Sequence, residues 1–217
     1  MADSGFDVNN PKPVSPLSGL ISPVGGISLT EVPLVGKINI RGDSDDPVFA
    51  KGVAEAVGVR LPTAPNTVSE RPGTGLPDAE ATEHRAGPGH NVIYWLGPDE
   101  WLVHTPPNGE GALVGTLRDK LSGVHAAVTD VSDYYVVIDL AGRHARDVLM
   151  RGTPFDVHAD VFKPGQCAQT VFVKASILLH CMTDAPSYRL QVRWTYAQYL
   201  WNYLATVARQ WTPTDAA

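Results

Sequence analysis

The chain has 217 residues, 43% of them hydrophobic and 18% charged, which is enough for a sizeable buried core in one large domain or two small ones. Its formal net charge of -6 arises wholly in the first part: residues 1–100 hold 13 acids and 7 bases, and residues 101–217 hold 10 of each. An acidic chain without a basic stripe is a poor partner for nucleic acid, and the absence of a run of about 18 apolar residues argues against a membrane span.

In chain order, residues 1–26 are rich in Pro, Ser and Gly and read as an extended arm. The arm reads either as disordered or as lying along a partner, and Leu17, Leu20 and Ile21 are apolar residues that a free tail does not need. Residues 32–40 read as one strand ending at the Arg41-Gly42-Asp43 turn. Asp46 then suits a helix N-cap and Pro47 its first position. Phe49, Gly52, Val53, Ala56 and Val57 share a face of that helix, and Gly58 can end it. Residues 61–91 hold 5 Pro and 4 Gly and read as a long loop. Two strands follow over 92–105, joined at Gly97-Pro98-Asp99-Glu100, and then a helix that buries Val114, Leu117 and Leu121.

The same order then returns. A strand over 134–140 ends at Ala141-Gly142, and a helix follows with Ala145, Val148 and Leu149 inward and Gly152 as its stop. Residues 163–181 form a hairpin, 188–194 a last strand, and a helix runs from Tyr196 to about Trp211. On that helix Tyr196, Tyr199, Leu200, Tyr203, Leu204, Val207 and Trp211 follow the helical period, which leaves Trp201 about 100° off the stripe. Trp194 and Trp201 read either as core rim or, with Leu17, Leu20 and Ile21, as a candidate partner interface. Gly42 and Gly142 correspond at an offset of 100 residues. The expected fold class is therefore α+β: an arm over 1–26, a first ferredoxin-like half over 27–123 and a second over 124–217, related by a pseudo-twofold axis.

Sites of chemistry are not apparent in the residues. The glycine pairs of "RPGTG" and "GPGHN" neither follow a strand nor open a helix, so no cradle for FAD, NAD or a nucleotide is expected. None of the seven histidines stands at helical ligand spacing from another, no C-x-x-C occurs, and Asp156, His158 and Asp160 read as a braced loop histidine. Ser132, between Asp130 and Asp133, reads as a turn serine, and no G-x-S-x-G elbow is present. Asp43, Asp45, Asp46, Asp99 and Glu100 are explained by capping and solvation. Cys167 has its nearest bases, Lys163 and Lys174, at a distance and precedes a strand, so nothing visible lowers its pKa. If the hairpin turn centres on Lys174, Cys167 and Cys181 face each other as packing thiols of a reduced, cytoplasmic protein. No catalytic, cofactor-binding or metal-binding residue is nominated.

The segments "ISLTEVPLVGKINIRGD", "LPTAPNTV", "WLGPDEWLV", "DVSDYYVVIDLAGRHARDVLMRGTPFDVH", "PGQCAQT" and "YLWNYL" together resemble the γ subunits of heterotetrameric sarcosine oxidases, from about residue 15 to 211. The resemblance implies the fold of the folate-binding aminomethyltransferase T-protein, which agrees with the two-unit repeat. It implies α, β and δ partner subunits and a place in sarcosine catabolism and one-carbon metabolism. Such a complex demethylates sarcosine, or a related N-methyl amine, to a glycine-type product, hydrogen peroxide and 5,10-methylenetetrahydrofolate. FAD, covalent FMN, NAD, zinc and tetrahydrofolate are then expected on or between other subunits, and this chain is expected to act in assembly without catalysing. The alternative is a stand-alone tetrahydrofolate-binding transfer protein like the T-protein itself, for which Asp130 or Asp139 would supply the required acid. The order "KPGQCAQT" differs from the K-G-C-Y-x-G-Q order of iron–sulfur assembly relatives in that superfamily.

Overall fold

The computed structural model describes residues 14–22, 26–70 and 90–211. Among the described residues ten strands form two five-stranded sheets, and every strand pairing is antiparallel. The elements run β1 (Ser28–Val32), β2 (Gly36–Arg41), α1 (Pro47–Val57), β3 (Val68–Ser69), β4 (Val92–Gly97), β5 (Glu100–Thr105), α2 (Glu110–Lys120) and β6 (Ala127–Asp130). They continue as β7 (Tyr135–Ala141), α3 (Ala145–Met150), β8 (Gln166–Phe172), β9 (Ala175–Thr183), β10 (Ser187–Arg193) and α4 (Ala197–Ala208).

The spatial orders are β3-β4-β5-β2-β6 and β8-β9-β10-β7-β1. Element for element, β2-α1-β3-β4-β5-α2 repeats as β7-α3-β8-β9-β10-α4, the pseudo-twofold expected from the sequence. The edge strands are exchanged. β1 lies before residue 123 and pairs with β7 of the second sheet, whereas β6 lies after it and pairs with β2 of the first. Division by chain order at 123/124 thus crosses both sheets.

The sequence expectation lacks β1, β6 and also β3, which falls inside the loop drawn over 61–91, and it draws one strand over 32–40. The chain instead turns at Pro33-Leu34, with Leu34 at φ 54°, because it leaves one sheet there and enters the other. Proline, with no N–H to give a ladder, suits that break.

Side-chain alternation builds the layers. Ile38, Ile40, Ile93, Trp101 and Val103 meet Phe49, Val53 and Leu117 of α1 and α2 in one core. Ile138, Leu140, Leu179, Leu190 and Val192 meet Val148, Leu149, Leu200 and Leu204 of α3 and α4 in the other. The opposite faces of the sheets press on each other through Tyr94, Leu102, Cys167 and Leu178. Asp46 caps α1 by accepting from the Val48 N–H, and Gly58 closes that helix at φ 79°. Gly42 and Gly142 end equivalent strands and are both sterically required. A Cβ on Gly42 would lie 2.2 Å from the Phe49 ring, and one on Gly142, at φ 116°, would lie 2.2 Å from the Gly26 carbonyl oxygen.

Three readings are corrected by tertiary packing. The hairpin turn is Val173-Lys174, with Phe172 opposite Ala175, so Cys167 pairs with His180 and Gln166 with Cys181. The turn centre thus moves half a residue, which slips the register by one and sends the cysteines to opposite faces. Cys167 enters the seam between the sheets, and Cys181 enters the second core. On α4 the buried face is Ala197, Leu200, Trp201, Leu204, Val207 and Ala208. Trp201, off the stripe in the sequence reading, is 5% exposed inside the second core, while Tyr196 and Tyr199 are exposed. Small Ala197 and Ala208 let that face approach the sheet, and the tyrosines keep their hydroxyls in water. Within the arm, Leu17 is buried and Leu20 partly buried against the chain's own second core. The remaining arm residues, 1–13 and 23–25, and residues 71–89 of the long loop lie outside the described residues.

Candidate functional site

The pseudo-twofold places a buried polar seam between the two sheets. From the first sheet come Tyr94 on β4 and His104 on β5, and from the second His180 on β9 and Gln191 on β10. Tyr94 Oη and His180 Nδ1 lie 3.5 Å apart, and His104 Nε2 meets Gln191 Oε1 at 2.5 Å. The Tyr94 ring packs on both histidines, with centroids 4.7 and 5.4 Å away. Burial holds the His104 imidazole well below its ordinary pKa, reinforced by the Arg189 and Lys37 charges, so it is neutral in the folded protein. Its Nδ1 is buried with no hydrogen-bond partner among the described residues.

Beside them Arg189 and Asp139 form a two-pronged ion pair at 2.8 and 2.9 Å on adjacent strands β10 and β7. Cys167 Sγ lies 3.5 Å from the carbonyl oxygens of both Thr67 and Trp95. Burial pushes its thiol up to about 12 and the Cys181 thiol up to about 11, the reverse of nucleophile activation. These side chains pack the middle of the seam, and at its edge Leu178 and Gln191 border an open pocket of about 530 Å³ with Leu96 of the facing sheet.

At one end of the seam the packing opens into a cleft of about 150 Å³ lined by Glu31, Lys37, Glu110, Ser132, Asp133 and Trp194, among others. Lys37 is 3% exposed, and its Nζ donates to the carbonyl oxygens of Val35 and Ser132 at 2.6 and 3.1 Å. Burial lowers its ammonium to about 8, against the opposing pull of Asp133, Asp130, Glu110 and Glu31. Between about 8 and the ordinary value of 10.5 the unfolded chain binds more protons than the folded one, so stability rises with pH across that window. Denaturant titrations in that pH range should show the rise flattened in Lys37→Met; an unchanged slope would assign it to another group.

The two carboxylates that the folate alternative would draw on have structural engagements. Both Asp139 oxygens accept from Arg189, and Asp130 Oδ1 accepts from the Ser132 N–H and hydroxyl at 2.9 and 2.6 Å. His158 lies 3.6 Å from Asp160 on the surface, and among the described residues no group of three or more His, Cys, Asp and Glu is arranged around a metal position. Of the five interface candidates, Leu17 and Trp201 bury within the chain, Leu20 does so partly, and Ile21 and Trp194 are exposed, Trp194 by 42%. The seam was invisible in sequence because its members are scattered over six strands. Only the inward alternation of His104, His180 and Gln191 among apolar neighbours could have marked it. No described helix is long and apolar enough to cross a membrane.

The family model described as sarcosine oxidase, gamma subunit family, matches residues 41–210. Sarcosine oxidase subunit gamma of Arthrobacter sp is 31% identical over 144 residues, covering 64% of this chain and 70% of that one. The corresponding subunit of Corynebacterium sp. strain U-96 is 27% identical over 191 residues, covering 88% and 83%. Among solved structures, the heterotetrameric sarcosine oxidase from Corynebacterium sp. U-96 in complex with pyrrole 2-carboxylate contains a chain similar to this one at TM-score 0.74 and 25% identity, covering 90% of this chain and 91% of that chain. The glycine cleavage system aminomethyltransferase T from Bartonella henselae superposes at TM-score 0.57 and 11% identity, covering 84% of this chain and 46% of that one. That last likeness is one of fold, and with it the T-protein-like architecture expected from the sequence is established.

Proposed function

The chain belongs to the sarcosine oxidase gamma subunit family, and from that premise we propose that it works inside a heterotetrameric oxidase as an assembly subunit without catalytic residues of its own. Its partners in this reading are the α, β and δ subunits. The reaction is oxidative demethylation of sarcosine or a related N-methyl amine to a glycine-type product, hydrogen peroxide and 5,10-methylenetetrahydrofolate. FAD, covalent FMN, NAD, zinc and tetrahydrofolate are assigned to sites on or between the other chains.

The observation that carries this reading is the direct packing of the two halves on each other. A transfer protein of the T-protein type would hold folate between its two halves, where this chain packs Tyr94, Leu102, Cys167 and Leu178. The acids that reading would draw on, Asp139 and Asp130, hold Arg189 and the Ser132 turn instead. The stand-alone folate reading is therefore not favoured.

Expression with and without partners tests the proposal. The chain by itself should carry no flavin and turn over no sarcosine, and omitting it should lower the yield of intact oxidase. A yellow, flavin-bearing chain isolated without partners would overturn the assignment, as would calorimetric heat with tetrahydrofolate.

Cys167→Ser should keep most of the turnover of the complex, because a hydroxyl can also donate to the Thr67 or Trp95 carbonyl. Loss of turnover in an assembled complex would make Cys167 a participant in the reaction.

A further inference from the structure

β8 is an edge strand of the second sheet, and part of its outer side is bare. With Phe172 opposite Ala175 across a two-residue turn, Ala168, Thr170 and Phe172 direct their backbone groups to β9. Cys167, Gln169 and Val171 direct theirs outward. At one end of this outward row the Cys167 N–H donates to the Asn66 carbonyl at 2.8 Å, and just beyond the other end the Val173 N–H donates to the Gly152 carbonyl at 2.6 Å. Between them the N–H and C=O of Gln169 and Val171 have no backbone partner among the described residues.

Edge strands are ordinarily guarded against other chains by a charge, a proline or a bulge. β8 reads Gln-Cys-Ala-Gln-Thr-Val-Phe, without charge or proline, and pairs with β9 without a register shift. Gln169 is exposed and Val171 is 42% exposed. Val173 adds a second exposed valine at the turn, at φ 54°, a conformation that a tip meeting only water normally gives to Asn or Gly.

Beside the edge lies the open pocket of about 530 Å³. Val171 stands opposite Ser176, and Arg193 opposite Tyr135, and all four line it. A strand laid along β8 would turn alternate side chains towards this pocket.

Charge selects the occupant. Exposed lysines bracket the uncharged strand, Lys163 before it and Lys174 at its turn, and neither is in an ion pair among the described residues. Two copies of the chain paired antiparallel through β8 would bring Lys174 of each towards the Lys163 end of the other, and like charges disfavour that arrangement. A segment with acidic ends has the complementary pattern.

We propose that β8 receives an extended segment of another subunit of the oxidase, uncharged in its middle and acidic at its ends, which adds to the second sheet as a sixth strand. The inference rests on the assembly role proposed above. Main-chain hydrogen bonds to Gln169 and Val171 hold the segment, and the pocket takes one of its side chains.

The test is co-expression of the full chain with the other subunits, reading the fraction retained in the purified complex and its salt dependence. The thermal midpoint and sedimentation of the free chain are measured beside them. Val171→Pro deletes an outward N–H and leaves the β9 ladder its donors. Val171→Lys installs the missing guard charge at an exposed position. Each should weaken association at least about tenfold, with the midpoint of the free chain close to that of wild type. If the proline variant does not fold, the lysine variant decides. Lys174→Gln should weaken association less and flatten its salt dependence. Wild-type retention of Val171→Lys would overturn the added strand and leave the assembly role standing. A free chain that sediments as a dimer, and as a monomer once Val171→Lys is introduced, would give the edge to a second copy and overturn the proposal. A wild-type chain that joins no partner would overturn the assembly role, and the added strand with it.

Discussion

Asp139→Ala is expected to remove about 3–5 kcal/mol of folding stability, the range for breaking a buried ion pair from one side. Arg189 is 6% exposed and Asp139 19% exposed at their side chains, and the two carboxylate oxygens take two guanidinium donors. The guanidinium cannot escape the loss by shedding its proton. Burial disfavours its charge, yet the Asp139 charge and hydrogen bonds outweigh that effect and hold its pKa above the ordinary value. Without Asp139 a cation remains in the seam beside Tyr94, with His104 also sensing its field. Urea unfolding of the variant reads the loss directly. The double variant Asp139→Leu with Arg189→Met should recover most of it, because a packed apolar pair replaces a buried ion pair at little cost. A loss below about 1 kcal/mol, the scale of a solvent-exposed pair, would mean that Arg189 reaches water or another acceptor.

The second large effect separates two tryptophans only seven positions apart. Trp201→Ala should cost about 3–5 kcal/mol, the range for deleting a large aromatic from a packed core. Its ring is buried in the second core with Leu200 and Leu204. Trp194→Ala, at an exposed site, should change stability by no more than about 0.5 kcal/mol. In the assembly reading the order reverses for partner binding, because Trp194 presents its ring to solvent and Trp201 does not. Denaturation of the free chain and recovery of the complex, measured on both variants, give that crossed pattern if Trp194 is the contact. Equal losses of stability would return Trp194 to the core.

Much of the architecture could be read from local signals. Asp46, Pro47 and Gly58 mark the ends of α1 because capping is a short-range matter of one side chain and one backbone angle. The β4–β5 hairpin followed from its turn residues, and the equivalence of Gly42 and Gly142 held because each ends the first strand of its half, where a side chain would collide. The family resemblance rested on the same segments and extended to the fold.

What failed was everything decided by a distant neighbour. β1 and β6 are short, and each is stabilised by a strand of the other half, so neither stands out within its own stretch of chain. The facing of Cys167 turned on one residue of register in a hairpin, which the turn geometry fixes and composition does not. Periodicity on α4 located a helix but not which of two overlapping stripes meets the sheet, because tyrosines score as apolar while their hydroxyls favour the water edge.

By itself, then, the sequence determined the two-fold repetition of elements, the helix ends and the family, because each depends on residues close together in the chain or on a pattern carried along it. Only the tertiary structure decided that the halves exchange edge strands, that Trp201 is core and Trp194 surface, and that the two halves pack on each other through Tyr94, Leu102, Cys167 and Leu178. Those outcomes depend on which elements lie side by side, a property of neighbours dozens of residues apart in the chain.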